Sequence, residues 1–267
     1  MVGTKVLLLL SALCLLLPAA RASSGLISVP TIVQRSVEAN ERDWDAAPQY
    51  TYSERDLAGA GSRTFDELMI LGSPYQRLIA VNGVTLSPEQ QANEQAKLDA
   101  VVAERQAESP QQRAERIAHY QRDRDRDHLF LEQLTLAFNF TLVGEQKLGG
   151  YDVYVLKATP RADYQPPNMD AEVLRGMEGK LWIDVSTFQW VKVVARVIHP
   201  VEIGGFLARV EPGTQFELEK MPVEGGMWLP KHFSMKARAR VLFLFSHRTV
   251  QDESYFDYHP AAPAQSP

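Results

Sequence analysis

Hydrophobic and polar positions alternate most regularly between Gly179 and Val197. Leu181, Ile183 and Val185 fall on one side of the first run, with Lys180, Trp182 and Asp184 on the other. Beyond a short Ser186-Thr187-Phe188 connection, Val191, Val193, Ala195 and Val197 separate in the same way from Trp190, Lys192 and Arg196. Period-two patterning of this kind predicts a β-hairpin with one apolar and one polar face, that is, a piece of a half-buried antiparallel sheet. Such a sheet covers something apolar on its concave side.

The pattern before and after extends this picture. Pro30 to Trp44 reads as an amphipathic helix, with Ile32, Val33, Val37 and Trp44 on one side and Glu38, Glu41, Arg42 and Asp43 on the other. Tyr50 to Arg55, Arg63 to Leu71 and Tyr75 to Val81 read as a meander that ends at the turn dipeptide Asn82-Gly83. Ser87 to Ala137 is long, charged and poor in β-branched residues, and Ser109-Pro110 is a helix start. Two helices follow from it, Ser87 to Ala107 and Pro110 to about Ala137. The alternating Arg122-Asp123-Arg124-Asp125-Arg126-Asp127 run makes a solvated helix face or a docking surface. A second hairpin runs from Phe138 to Gly144 and back from Tyr151 to Lys157, and Pro160 to Met177 is a long irregular segment. Later strands are expected at Phe206 to Val210, at Thr214 to Met221, at Trp228 to Val241 and beyond, and finally at Tyr255 to Tyr258, before a proline- and alanine-rich tail at 260–267.

The first 22 residues change where this fold is placed. Lys5, the apolar run Val6 to Leu17, Pro18 and then Ala20-Arg21-Ala22 have the order of a secretory signal peptide cleaved before Ser23. An uncleaved anchor is the competing reading, but the run is short against the roughly 20 residues that span a bilayer core. Cleavage removes Lys5 and Arg21, taking 28 basic and 33 acidic residues to 26 and 33, so the net charge moves from −5 to −7. A mildly acidic mature chain argues against nucleic-acid binding and offers no polybasic handle for anionic membranes. Cys14, the only cysteine, leaves with the signal, so the exported chain folds without disulfides on its own core. A periplasmic location fits that best.

The order of elements then resembles a known superfamily. A signal peptide, an amphipathic helix, an antiparallel meander, a helical excursion, the hairpin Leu142-Val143-Gly144-Glu145 to Gly150-Tyr151-Asp152-Val153-Tyr154-Val155-Leu156, and Gly179-Lys180-Leu181-Trp182-Ile183-Asp184 followed by Val193 to Arg196 are similar to the periplasmic lipoprotein-localisation (LolA/LolB-like) proteins. The resemblance implies a mainly β, α+β fold: an incomplete antiparallel β-barrel, or half-barrel, with an amino-terminal helix and a two-helix insertion over the concave face. It implies one domain at 23–259 with the insertion at 87–137. It also implies a carrier or receptor for lipid or acylated lipoprotein in outer-membrane lipoprotein sorting, or else a stress-sensing envelope module with a protein partner.

One strand locates the expected site. From Phe233 the inward positions are Phe233, Met235, Ala237, Ala239, Val241, Phe243 and Phe245, large at both ends and small in the middle. With Leu181, Ile183, Val191, Val193, Phe216 and Leu218 they outline a dip at Ala237 and Ala239, which is either filled by a helix or open as an apolar lipid cavity. Enzyme chemistry has little footing: there is no nucleophile elbow, zinc-protease motif, phosphate loop or mature cysteine. No metal, cofactor or catalytic residue is expected. Glu54 and Asp184 are strand-borne acids of the kind usually left in solvent, and His119, His128, His199, His232, His247 and His259 share no ligand spacing within an element. Only Trp182, Trp190 and Trp228, if they formed one platform, would favour a glycan-binding or hydrolase module. Export gives the first prediction: amino-terminal sequencing of the protein from the envelope should begin at Ser23, and material still carrying Met1 in the membrane fraction would establish an anchored form instead.

Overall fold

The computed structural model describes residues 27–59, 61–205, 208–241 and 245–261, so the signal sequence and the tail at 262–267 lie outside the described residues. Helix α1 (Val29–Ala46) leads through a 3-10 turn at Ala47–Gln49 into strands β1 (Tyr50–Ala58), β2 (Gly61–Ile70), β3 (Ser73–Val81) and β4 (Val84–Thr85). Helices α2 (Pro88–Ala107) and α3 (Pro110–Ala137) follow, then β5 (Phe138–Leu148), β6 (Tyr151–Pro160), a 3-10 helix at Asp170–Gly176, β7 (Met177–Asp184) and β8 (Trp190–Val197). The chain ends with β9 (Val201–Ile203), β10 (Ala208–Val210), β11 (Gln215–Pro222), β12 (Trp228–Val241) and β13 (Phe245–Pro260). The described strands form one antiparallel sheet in the order β4-β3-β2-β1-β13-β12-β11-β8-β7-β6-β5, with β10 paired to β12 and β9 to β10. The sheet is open, its edges being β4 and β5, and α2 and α3 connect those two edges. Among the described residues no helix is long and apolar enough to cross a membrane.

Helix α1 is placed by a stripe that hydrophobicity alone does not show. Its buried residues are Ile32, Ser36, Ala39, Asn40 and Asp43, at helical spacing. Asp43, expected on the solvent side, is 3% exposed. It is buried because Lys220 of β11 reaches it: Nζ donates to Asn40 Oδ1 at 2.8 Å and to Asp43 Oδ2 at 3.3 Å. A buried charge persists only when paired and hydrogen-bonded. Burial lowers the Lys220 ammonium and raises the Asp43 carboxyl, and their mutual contact opposes both shifts. The small residues Ser36 and Ala39 let the helix approach closely, and Gln189 Nε2 donates to the Ala39 carbonyl at 3.5 Å.

The β7–β8 hairpin keeps the expected alternation on β7 and loses it on β8. Trp182 pairs with Lys192 but Ile183 pairs with Trp190, so Val191 is an extra residue. This bulge changes the faces. Trp190 joins the core under α1 together with Leu181, Ile183 and Val193, whereas Val191 packs on the other face with Val153, Trp228, Trp182 and Tyr151. Asp184 is buried rather than solvent-exposed, for a local reason: its Oδ1 accepts from the Thr187 amide at 2.7 Å, both hydroxyls of Ser186 and Thr187, and the Ser186 amide at 3.1 Å. Burial pushes its pKa up, but these hydrogen bonds prevail and hold it below the usual range. Gly179 is required because a Cβ there would sit 2.9 Å from the Val194 carbonyl oxygen.

The insertion starts where expected and is tied down by arginines. Ser87 with Gln90, and Ser109 with Gln112, make reciprocal capping boxes before proline at the first turn. Arg105 donates to the carbonyls of Ile70, Ser73 and Pro74, and Arg116 to the Leu71 carbonyl and Ser73 hydroxyl, so the β2–β3 turn is gripped by both helices. The buried pair under α1 yields the prediction for this fold. Lys220→Ala or Asp43→Ala alone should cost about 3–5 kcal/mol by leaving an unpaired buried charge. The double change Lys220→Met with Asp43→Leu should recover most of that in a denaturant titration.

Candidate ligand-binding face

Residues directly opposite in antiparallel pairs share a face, so register alone traces one row across the inner side of the sheet. It runs Leu142, Leu156, Leu181, Val193, Leu218, Phe233, Glu253, Asp56, Arg63 and Val81. The row is apolar from β5 to β12 and turns ionic at β13, β1 and β2. The face is therefore amphipathic across its width.

All the expected cavity residues but Phe243 have a place among the described strands. Leu181, Ile183 and Val193 are buried beneath α1 among Ile32, Leu174 and Tyr164, so there the helix fills the space. Phe216 and Leu218 pack half-buried against the border of that cluster. Phe233, Met235, Ala237 and Ala239 continue the face and are only half-buried. Val191 lies on the opposite face, Val241 ends β12 across from Ala208, and Phe243 falls outside the described residues.

The ionic half was not singled out by sequence. Carboxylate oxygens of Glu54, Asp56 and Glu253 lie within 4.8 Å of one another. Glu67 is 8% exposed opposite Tyr52. The rings of Tyr52, Tyr255 and Tyr258 gather here, with centroids 5.9 and 5.1 Å from Tyr52, and Tyr255 donates to Glu253. Burial, and then the Asp56, Glu253 and Glu67 carboxylates, push Glu54 up to about 8. Burial also raises Glu67 and all three tyrosines. Three oxygen ligands of this kind suit a shared proton or a hard cation. The available signal was that Tyr52-Ser53-Glu54-Arg55-Asp56 and Gln251-Asp252-Glu253 are polar at both parities, which a strand backed by a dry core would not be.

Groups that a catalytic or sugar-stacking reading needs are dispersed. Glu54 on β1 and Asp184 at the end of β7 are separated by four intervening strands. Trp182 and Trp228 share the outer cluster while Trp190 is in the inner core, and Trp44 stacks on His128 at 5.4 Å. His119, His128 and His232 face Asp123, Glu132 and Asp252 respectively, on different parts of the fold. Two grooves lie elsewhere, one of about 520 Å³ between β3 and α2 and one of about 670 Å³ between the β2–β3 turn and α3.

No protein-family model and no curated protein matches the sequence. Among solved structures, the chain is similar to a LolA superfamily protein from Nitrosomonas europaea at 12% identity, covering 87% of this chain and 93% of that one with a TM-score of 0.33. A putative outer membrane lipoprotein-sorting protein domain from Vibrio parahaemolyticus matches at 10% identity, over 85% and 92%, with a TM-score of 0.30. The Pseudomonas aeruginosa MucA/MucB complex matches at 13% identity, over 85% and 99%, with a TM-score of 0.23. The first of these names the superfamily that the sequence resembles. Superpositions this loose transfer no residue, ligand or partner.

The carboxylate cluster sets a pH dependence. Glu54 has a folded pKa raised from 4.5 to about 8, so its stabilising contribution is full below pH 4.5 and is lost as pH rises through 8. Thermal melts should show the wild-type midpoint falling across that window, and Glu54→Gln should flatten the fall; parallel curves for the two proteins would contradict the assignment.

Proposed function

We propose that the protein is an exported, non-enzymatic carrier or receptor that binds lipid, or the acyl chains of a lipoprotein, on the inner face of its open sheet. The carrying observation is the interrupted burial of one apolar row: dry under α1 at Leu181 and Val193, and only half-buried at Phe216, Leu218, Phe233, Met235, Ala237 and Ala239. An apolar surface in that position recruits hydrocarbon at about 0.8 kcal/mol per buried methylene before binding costs. The neighbouring carboxyl and tyrosine cluster supplies a polar end beside it, so an amphipathic molecule matches the face in both halves. Residues 23–259 form the single exported domain, residues 1–22 the removed signal, and the location is the periplasm, in the service of outer-membrane lipoprotein sorting.

A second reading, an interaction module for an envelope protein, is favoured by one feature of the insertion: none of the residues of α2 is fully buried, although the helix is well capped. Pull-down with and without 87–137 separates that role from lipid carriage. The principal test is Ala239→Trp. The substituted protein should stay folded with a melting point near wild type and lose co-purified lipid by mass spectrometry. Wild-type protein free of lipid, together with a loss of about 1–3 kcal/mol on substitution from overpacking, would end the carrier reading.

A further inference from the structure

The outer face of the sheet, opposite α1, carries a second pattern. Lys236, Arg238 and Arg240 occupy the outward positions of β12, and all three are exposed. Register sets Arg238 directly across from Arg248 of β13, and Arg240 directly across from Arg209 of β10. Like charges directly opposite one another destabilise a sheet. Here the placement recurs in two adjoining strand pairs of a chain whose net charge is −5, so strand pairing assembles a local cationic handle for an anionic surface that the overall composition did not offer. Glu211 serves Arg209 at 3.7 Å and Arg240 at 3.3 Å. Among the described residues no carboxylate comes within 4.0 Å of Lys236, Arg238 or Arg248. Across from Lys236, in the midst of these cations, is Val250, 67% exposed.

We propose that this outer strip of Lys236, Arg238, Arg240, Arg248 and Val250 docks the protein on an anionic lipid bilayer. The uncompensated cations need an anionic partner. Their spread over two adjoining strands, on an outward sheet face, suits a surface better than a threaded strand. Among the described residues the strip has no aromatic side chain on which nucleic-acid bases would stack. A cationic face that also presents an exposed apolar side chain matches the boundary between headgroups and acyl chains, where both kinds of contact are made. The surface is distinct from the inner ligand face and goes beyond it: one holds a lipid, the other sets the protein against the membrane.

The test is co-sedimentation of the purified full chain with phosphatidylcholine vesicles, with and without phosphatidylglycerol. The protein should bind only the phosphatidylglycerol vesicles and should be released in 1 M salt, where the screening length falls to about 3 Å. Combined Lys236→Gln, Arg238→Gln and Arg248→Gln should weaken binding roughly a hundredfold, at about fivefold per cation, while circular dichroism stays unchanged. Should that triple variant fail to fold, Arg248→Gln alone should still weaken binding about fivefold. Ala239→Trp should bind these vesicles as wild type does, which separates failure of this surface from failure of the inner site. Equal binding to neutral vesicles, binding indifferent to the substitutions, or capture by soluble polyglutamate as strong as by vesicles would overturn the proposal.

Discussion

A lysine inside the protein holds the architecture together. Lys220 leaves β11 toward the inner face and meets Asp43 and Asn40 of α1, so this helix is pinned across the sheet by a charge pair shielded from water. Neither charge is tolerated alone in that environment, so each holds the other and with it the contact between α1 and β11. In that position Ile32 of the helix joins the buried cluster of the inner face, and Ala39 is buried beside it. The cation–π contact of Arg35, 3.7 Å from the centroid of Phe188, fixes the same helix to the β7–β8 turn.

An open sheet has the further difficulty of two edges. Here the chain leaves one edge at β4 and returns at the other as β5, and what joins them is the capped helical pair. The β2–β3 turn, gripped by Arg105 and Arg116, anchors the near end of that pair, and Arg124 donates to the Trp44 carbonyl at 2.6 Å to join α3 to the end of α1. The helical insertion is thus a bridge spanning the sheet rather than an appendage. Among its described side chains few are buried: beside the apolar contacts of Leu134 and Ala137, its hold on the body is made by guanidinium groups on backbone carbonyls, which bind without requiring an apolar interface.

The result is a sheet with different chemistry in each quadrant. Its inner side passes from a helix-filled core, through a half-covered apolar stretch, to clustered carboxyls and tyrosines; its outer side carries the Lys192 pairing with Glu217 and Glu219 near the middle and unopposed arginines toward the end of the β12–β13 hairpin. A ligand face and a docking face on opposite sides of one layer do not compete for residues, because alternation along each strand assigns neighbouring positions to opposite sides.

Local rules made much of this legible in advance. The two capped helices, the Asn82-Gly83 turn with φ of 53° and 73°, the start of β12 at Trp228, and the apolar parity of Leu181, Ile183 and Val185 follow from propensity, caps and period, all of which act within a few residues, whereas the alternation expected to run on through Phe245 is divided between β12 and β13. What the chain by itself determined was therefore which segments are helix or strand and, where strands are regular, which residues share a side. Tertiary structure decided the rest. It chose the strand order that brings Glu253 beside Asp56, the bulge that turns Trp190 inward and Val191 outward, and the burial of Asp43. Each depends on a partner distant in sequence: Lys220 lies 177 residues beyond Asp43, and no periodicity in one segment encodes a charge that only the opposing segment can neutralise.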